Sequence, residues 1–322
     1  MKKVLILFGK SNWRKSKPFK NEKYMYSYEY FYELCRKNGI QIYRASYQWY
    51  DYRKHIFKHA WIFEKKNGGW MKTDKIKPDL VFDKTKTRPE VEYKKSLIGE
   101  SYKIFNNPIF TALIDNKLYT GHLFPEWTKG NQLIQNDRDL QAALSKVKGE
   151  KAVVKPLDLS GGENVIIGKK KEILSEVKKR RTKLKNYIVQ EFINSSRGIP
   201  GITKGVHDLR LVFINNRLIY SYYRKPAEGS LLANLAQGGT MAIVPLHKLS
   251  KNLKPIIKRA TDIFSVYGSN IYTVDVMFDE KRKPWIVELN SMPGMYFEPG
   301  QEKTRKYFYK ELLKVFKREL SI

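Results

Sequence analysis

Two apolar segments in the last quarter of the chain each carry an acidic residue among hydrophobic neighbours, and nothing else in the sequence restricts the fold as much. Tyr272-Thr273-Val274-Asp275-Val276-Met277-Phe278 and Trp285-Ile286-Val287-Glu288-Leu289-Asn290 are short runs rich in β-branched and aromatic residues, the composition of strands. Alternate residues of a strand share a face, so Glu288 and Asn290 project together. Pairing of the two strands would bring Asp275 alongside them. Carboxylates are rarely buried without a partner or a metal. Asp275, Glu288 and Asn290 together make a hard oxygen set suited to Mg²⁺ held with phosphates. The competing reading puts all three on the solvent face of a hairpin, and their apolar flanks argue against it.

The rest of the chain alternates strands and helices. Val4 to Phe8 is an apolar strand. Residues 24–38 repeat apolar side chains at helical spacing (Tyr28, Phe31, Tyr32, Cys35), with Asn38-Gly39 as the stop. Ile40 to Tyr43 and Lys77 to Asp83 read as further strands, which implies a parallel α/β unit. Asn106-Asn107-Pro108 punctuates the chain and marks a boundary. Strands follow at 152–155, 164–167 and 187–191, with a basic helix at about 171–186. Leu209 to Asn215 and Arg217 to Arg224 form a hairpin turning at Asn215-Asn216. A helix is expected at about 251–267 and another at about 302–319. With 322 residues, more than one core is expected.

Two loops carry further chemistry. Lys155 ends a strand and is followed by Ser160-Gly161-Gly162. Glycine lets backbone N–H groups close over phosphate oxygens, and the lysine adds a point charge to the same phosphates. An ordinary hairpin turn is the simpler reading of that tripeptide alone. Gln190-Glu191-Phe192-Ile193 leads a strand into a loop whose backbone can meet an adenine edge. Asp208 is placed to accept from ribose hydroxyls and Arg210 to reach phosphate.

The chain holds 62 basic and 32 acidic residues, a net charge of +30. Such a field attracts polyanions, whether an acidic peptide, a nucleotide, a nucleic acid or an anionic membrane surface. A genome rich in lysine codons gives the same count. Residues 251–300 hold 7 basic and 6 acidic residues, so the expected metal ligands lie in a nearly neutral stretch. The basic run Lys178-Lys179-Arg180-Arg181-Thr182-Lys183-Leu184-Lys185 is a solvated helix face or a docking surface. His55 and His59 would share a face if helical, with no third ligand nearby. The single cysteine, Cys35, excludes an internal disulfide and fits a cytoplasmic setting. No run approaches a membrane span, and the first residues read as a buried strand, not a targeting segment.

Taken in order, six segments resemble the ATP-grasp superfamily. They are Lys155-Pro156-Leu157-Asp158 with Gly161-Gly162; Gln190-Glu191-Phe192-Ile193; Asp208-Leu209-Arg210; Arg224-Lys225-Pro226 with Asn234-Leu235-Ala236-Gln237-Gly238-Gly239; Asp275; and Glu288-Leu289-Asn290. The chain looks most like bacterial glutathione synthetase and the ribosomal-protein glutamate ligases. Upstream, Asp115-Asn116-Lys117 resembles the short element that precedes the nucleotide site.

The resemblance implies an α/β fold, α+β in its C-terminal half. Its parts would be an N-terminal Rossmann-like α/β domain (1–108), a lid subdomain (109–189) and a C-terminal metal-binding subdomain (190–322). It implies an ATP- and Mg²⁺-dependent ligase, with Mn²⁺ as a substitute, joining a carboxylate to an amine through an acyl phosphate. The substrate would be an amino acid or peptide, possible acidity being set by the net charge; nucleic acid is less favoured. Lys117, Lys155, Gly161, Gly162, Gln190, Glu191, Phe192, Ile193 and Asp208 would match the nucleotide ligands, and Asp275, Glu288 and Asn290 the metal ligands. Arg210 and Arg224 would stabilise the transferring phosphoryl group. The related ligases carry arginine where this chain has Leu232, and D-alanine ligases carry it at the position of Thr273, so one expected cation is absent. The alternative is a basic protein that keeps this fold to bind nucleotide or RNA without turnover.

Overall fold

The computed structural model describes residues 1–10, 13–19, 21–86, 89–159, 161–180, 183–231 and 238–322. Ser160, Arg181, Thr182, Leu232 and the segment Asn234 to Gln237, singled out above, lie outside the described residues.

Three sheets follow one another along the chain, and the first is mixed. Its strands are β1 (Lys2–Phe8), β2 (Ile40–Ser46), β3 (Tyr50–Asp51), β4 (Ile56–Glu64), β5 (Gly69–Ile76), β6 (Leu80–Lys84) and β7 (Ile104–Phe105), with helices α1 (Glu22–Arg36) and α2 (Pro89–Gly99). The parallel part runs β2-β1-β6-β7. Val4, Leu5, Ile6 and Leu7 of β1 are all fully buried, as a strand covered on both faces requires. Val4 and Ile6 pack with Tyr28, Phe31, Tyr32 and Cys35 of α1, while Leu5 and Leu7 pack on the opposite side with Trp49, Trp61 and Val81. The chain leaves α1 through Gly39 at φ +78, a conformation that favours glycine.

Residues 56–76 form an antiparallel hairpin, β4 and β5. His59 therefore lies on a strand, not on a helix with His55. It pairs with Asp74 at 2.8 Å and stacks under Trp13. Strand alternation, not helical spacing, decides its surroundings.

Helices α3 (Pro108–Asp115) and α4 (Lys117–Leu123) lead to the second sheet. Its strands are β8 (Asn131–Ile134), β9 (Lys151–Pro156), β10 (Ile166–Lys169) and β11 (Tyr187–Glu191), ordered β10-β9-β11-β8 and antiparallel throughout. Helices α5 (Asp139–Lys146) and α6 (Lys170–Arg180) cover one face, where Ala152, Val154, Tyr187 and Val189 meet Leu144 and Ile173. The opposite face carries Val153, Lys155 and Gln190. Helix α6 ends earlier than its basic composition suggests. By Leu184 the backbone N–H is already bonded to the Asp137 carboxylate at 2.7 Å.

The third sheet is antiparallel, ordered β14-β13-β12-β15-β16. Its strands are β12 (Asp208–Ile214), β13 (Arg217–Lys225), β14 (Thr240–Val244), β15 (Ile271–Phe278) and β16 (Pro284–Asn290). Asn215 and Asn216 turn the β12–β13 hairpin at φ +51 and +58, the left-handed pair that a two-residue turn needs. Leu209, Leu211 and Phe213 face helix α7 (Lys254–Phe264), leaving the alternate residues of β12 to the other side. Helix α8 (Glu302–Glu319) packs back onto the first sheet, where Phe31 stacks on Tyr309 and Phe82 meets Phe316. The expected boundary at 106–108 is firmly tied. Buried Asn106 donates to the carbonyls of Ile271 and Ser291, each at 2.8 Å, and accepts from Ile271 N at 2.7 Å.

Candidate functional site

A cleft of about 860 Å³ opens between the second and third sheets. Strand registers explain its floor. Asp208 pairs with Arg224, Arg210 with Asp275, Asp275 with Glu288, and Thr273 with Asn290. Cross-strand partners share a face, so one side of four strands gathers Asp208, Arg210, Arg224, Asp275, Glu288 and Asn290.

These groups form two circuits. In the first, Arg210 donates through Nε and Nη2 to the two oxygens of Asp275, at 2.6 and 2.5 Å. Arg224 donates to both oxygens of Asp208, at 3.1 and 2.5 Å, and also to Asp275 at 2.8 Å. Burial alone would raise the Asp275 carboxyl, but Arg210 and Arg224 hold it below the usual carboxylate range. Burial pushes Asp208 up to about 6, against the pull of Arg224 and with the help of negative Asp275.

In the second circuit, Lys117 pairs with Glu288 at 3.2 Å and also donates to the carbonyls of Leu157 and Leu159 in the loop before Gly161. Lys155 reaches across from the second sheet to Val287 O at 3.0 Å. Its burial, and then the Lys117 ammonium, push it down to about 8, opposed by Glu288. Two lysines thus link the second sheet and its glycine loop to the strand that carries Glu288. Gly161 and Gly162 both stand at φ +73, a conformation that a side chain would strain.

Every site residue expected from the sequence lines this cleft except Asp275, which is 1% exposed beneath the two arginines. Glu191 sits at the outer end, its backbone N–H bonded to Gly130 O and its carboxylate accepting from Lys148 N. Phe192 lies under Lys151, 5.6 Å from the ring centre. Lys148, Lys151 and Met292 also line the cleft. Nothing in the spacing of Lys148 and Lys151 separates them from the other lysines of the chain.

The donor set suits a hard divalent cation at Glu288 and Asn290. Among the described residues the Asn290 amide nitrogen is buried without a partner, and Glu288 pairs with one lysine, Lys117. Asp275 is committed to the arginines. Among the described residues no group of three His, Cys, Asp or Glu side chains comes together; the set depends on the asparagine.

The profile of the RimK-like ATP-grasp domain matches residues 127–306, the second and third sheets with the cleft between them. The chain belongs to that family. Among curated relatives, it is 28% identical over 158 residues to "Probable alpha-L-glutamate ligase" of Vibrio cholerae serotype O1, covering 49% of this chain and 48% of the relative. It is 31% identical over 161 residues to the protein of the same name from Xanthomonas oryzae pv. oryzae, half of each chain. The chain thus spans about half the length of the curated relatives it matches. A D-alanine–D-alanine ligase from Bacillus anthracis in complex with ATP superposes with a TM-score of 0.62 at 14% identity, over 99% of this chain and 97% of that one. A RimK-domain ATP-grasp protein from Sphaerobacter thermophilus gives 0.60 at 12%, over 96% and 98%. At these identities the solved structures establish a mixed α/β ATP-grasp fold. No described helix is long and apolar enough to cross a membrane.

Proposed function

We propose that this family member is an ATP- and Mg²⁺-dependent carboxylate–amine ligase working through an acyl phosphate. The observation that carries the reading is the cleft itself. Glu288 and Asn290 on its floor face Lys117, Lys155 and the 161–162 turn, so hard oxygen donors and phosphate-binding cations meet in one space. Mg²⁺ would supply charge neutralisation on the phosphates, with Mn²⁺ able to replace it. In this reading residues 1–108 are the Rossmann-like domain, 109–189 the lid and 190–322 the metal-binding part.

The protein groups have distinct tasks. Lys117 and Lys155 hold phosphate oxygens, and the loop through Gly161 and Gly162 closes over them. Gln190 to Ile193 meet the base, and Asp208 meets the ribose. Arg224 and Arg210, placed side by side on β13 and β12, stabilise charge on the transferring phosphoryl group. An acyl phosphate is open to hydrolysis, so closure of the second sheet must exclude water until the amine attacks. The curated relatives' name points to L-glutamate as a substrate to test first, and the net charge of +30 to an acidic partner molecule.

The test is release of ADP and phosphate across a panel of amino acids and peptides, with product mass measured. Phosphate release that requires both an acid and an amine supports the ligase. Tight nucleotide binding with no acid-dependent release would support the non-catalytic alternative.

A further inference from the structure

In the first sheet, β1 connects to β2 on one side, and the chain then crosses to β6 on the other. The carboxyl ends of β1 and β6 therefore flank a topological switch point, the place where open parallel sheets bind ligands. Lys84, the last residue of β6, pairs in register with Phe8, the last residue of β1. Its ammonium donates to Pro293 O at 2.5 Å. Pro293 lies three residues beyond Asn290, and its neighbour Met292 lines the cleft. Lys84 thus stands where the first sheet meets the wall of the nucleotide cleft.

Among the described residues this ammonium has no direct ion-pair partner. Of the nearby acids, Asp83 is paired with Lys95 at 2.7 Å and accepts from Thr85, and Asp115 accepts from both Ser291 N and Ser291 Oγ at 2.8 Å. Among the described residues, none is within ion-pair distance of Lys84 Nζ. Burial pushes the group down to about 7 despite the attraction of Asp83 and Asp115. An ammonium has three donors, and the Pro293 contact uses one. In the third sheet, on the strand pair that leads to Pro293, Thr273 Oγ1 and Asn290 Nδ2 are buried without partners, opposite each other in the β15–β16 register. A half-buried cation with donors to spare, at the switch point and against the segment that follows Asn290, is an anion site awaiting its ligand.

Resting on the ligase reading, we propose that Lys84 binds the non-reacting carboxylate of an amino-acid substrate. It supplies from the first sheet the cation that Thr273 does not supply from the third. This makes the enzyme selective for acceptors that carry a free carboxylate over the corresponding amides and simple amines.

The test is calorimetric titration of the full chain, loaded with a non-hydrolysable ATP analogue and Mg²⁺. L-glutamate and L-alanine are each compared with their α-carboxamides. The wild type should favour at least one acid over its amide by about 10- to 100-fold, the range of a charge-assisted hydrogen bond. Lys84→Gln should bind acid and amide alike while keeping its affinity for the nucleotide. Lys84→Arg should retain the preference for the acid, and it decides the matter should Lys84→Gln fold poorly. Equal affinity for acid and amide in the wild type, binding of neither acid, or an undiminished preference in Lys84→Gln would overturn the proposal. If these binding results hold but no acid-dependent phosphate release occurs, the ligase reading fails and the anion site stands.

Discussion

Replacing Asp275 by asparagine tests whether this carboxylate is chiefly a partner for the arginines. It is 1% exposed and takes three charged hydrogen bonds, two from Arg210 and one from Arg224, whose side chains are 13% and 12% exposed. Removing one member of a buried ion pair costs about 3–5 kcal/mol, because the other charge is left uncompensated. Asparagine preserves the shape and one acceptor, and Arg224 keeps Asp208, so the lower end applies, about 3 kcal/mol. Glu288→Gln is the control. Glu288 has one lysine partner at 3.2 Å and is 18% exposed, so its loss should cost about 1 kcal/mol or less. Urea unfolding followed by circular dichroism at neutral pH, without nucleotide or metal, reads both values. Turnover should vanish in both variants, since each removes a charge from the site. A cost for Asp275→Asn below about 1 kcal/mol, or no larger than that of Glu288→Gln, would mean that the arginine circuit contributes nothing in solution, and the argument from burial would fall.

Asn106→Ala removes three buried hydrogen bonds and should cost about 2–4 kcal/mol in the same assay; a cost under about 0.5 kcal/mol would contradict the geometry. Burial holds Asp208 at about 6 against Arg224, while Asp275 raises it. The folded state therefore keeps a proton that the unfolded carboxylate has released. That contribution is full below about pH 3.8 and fades as the pH rises through about 6, so Asp208→Asn should flatten the decline of stability across this window. Saturating ATP analogue with Mg²⁺ should protect the segment 155–165 from limited proteolysis, and unchanged cleavage would count against a closing glycine loop. If the substrate is an acidic peptide, apparent KM should rise steeply with salt while kcat stays level, and reversing Lys178, Lys179 and Arg180 to Glu should reproduce the effect at low salt.

The candidate site is legible in the sequence because its chemistry conflicts with its surroundings. Asp275 and Glu288 interrupt apolar strands, and period-two alternation puts Glu288 and Asn290 on one face whatever the register. The register was not legible. Nothing in residues 208–224 states that Arg210 will stand opposite Asp275, and the pairings of Asp208 with Arg224 and of Asp275 with Glu288 depend on a bulge between Val212 and Phe213 and another after Asp275. The hairpin of β4 and β5 is not legible in the sequence for a related reason: Lys58, His59 and Lys72 break the apolar alternation, and the spacing of His55 and His59 imitates a helix. Lys84 was one lysine among many. Only the crossing of β6 beside β1, which brings Pro293 to its side chain, distinguishes it. Helix α8 could be bounded from its spacing, but its docking site lies more than 200 residues earlier, at Phe82 and Phe31.

That docking bears on the order of events at the ribosome. Domains ordinarily condense from the N-terminus as the chain emerges. Here the apolar surface of β1, α1 and β6 is roofed by Phe308, Tyr309, Leu312 and Phe316, so the first unit begun is among the last to be sealed. While some 200 further residues are made, Phe31 and Phe82 stay uncovered on that side. A growing polypeptide in this condition is a natural client for chaperones, and a ribosome stalled before codon 302 would release a product that is sticky as well as inactive.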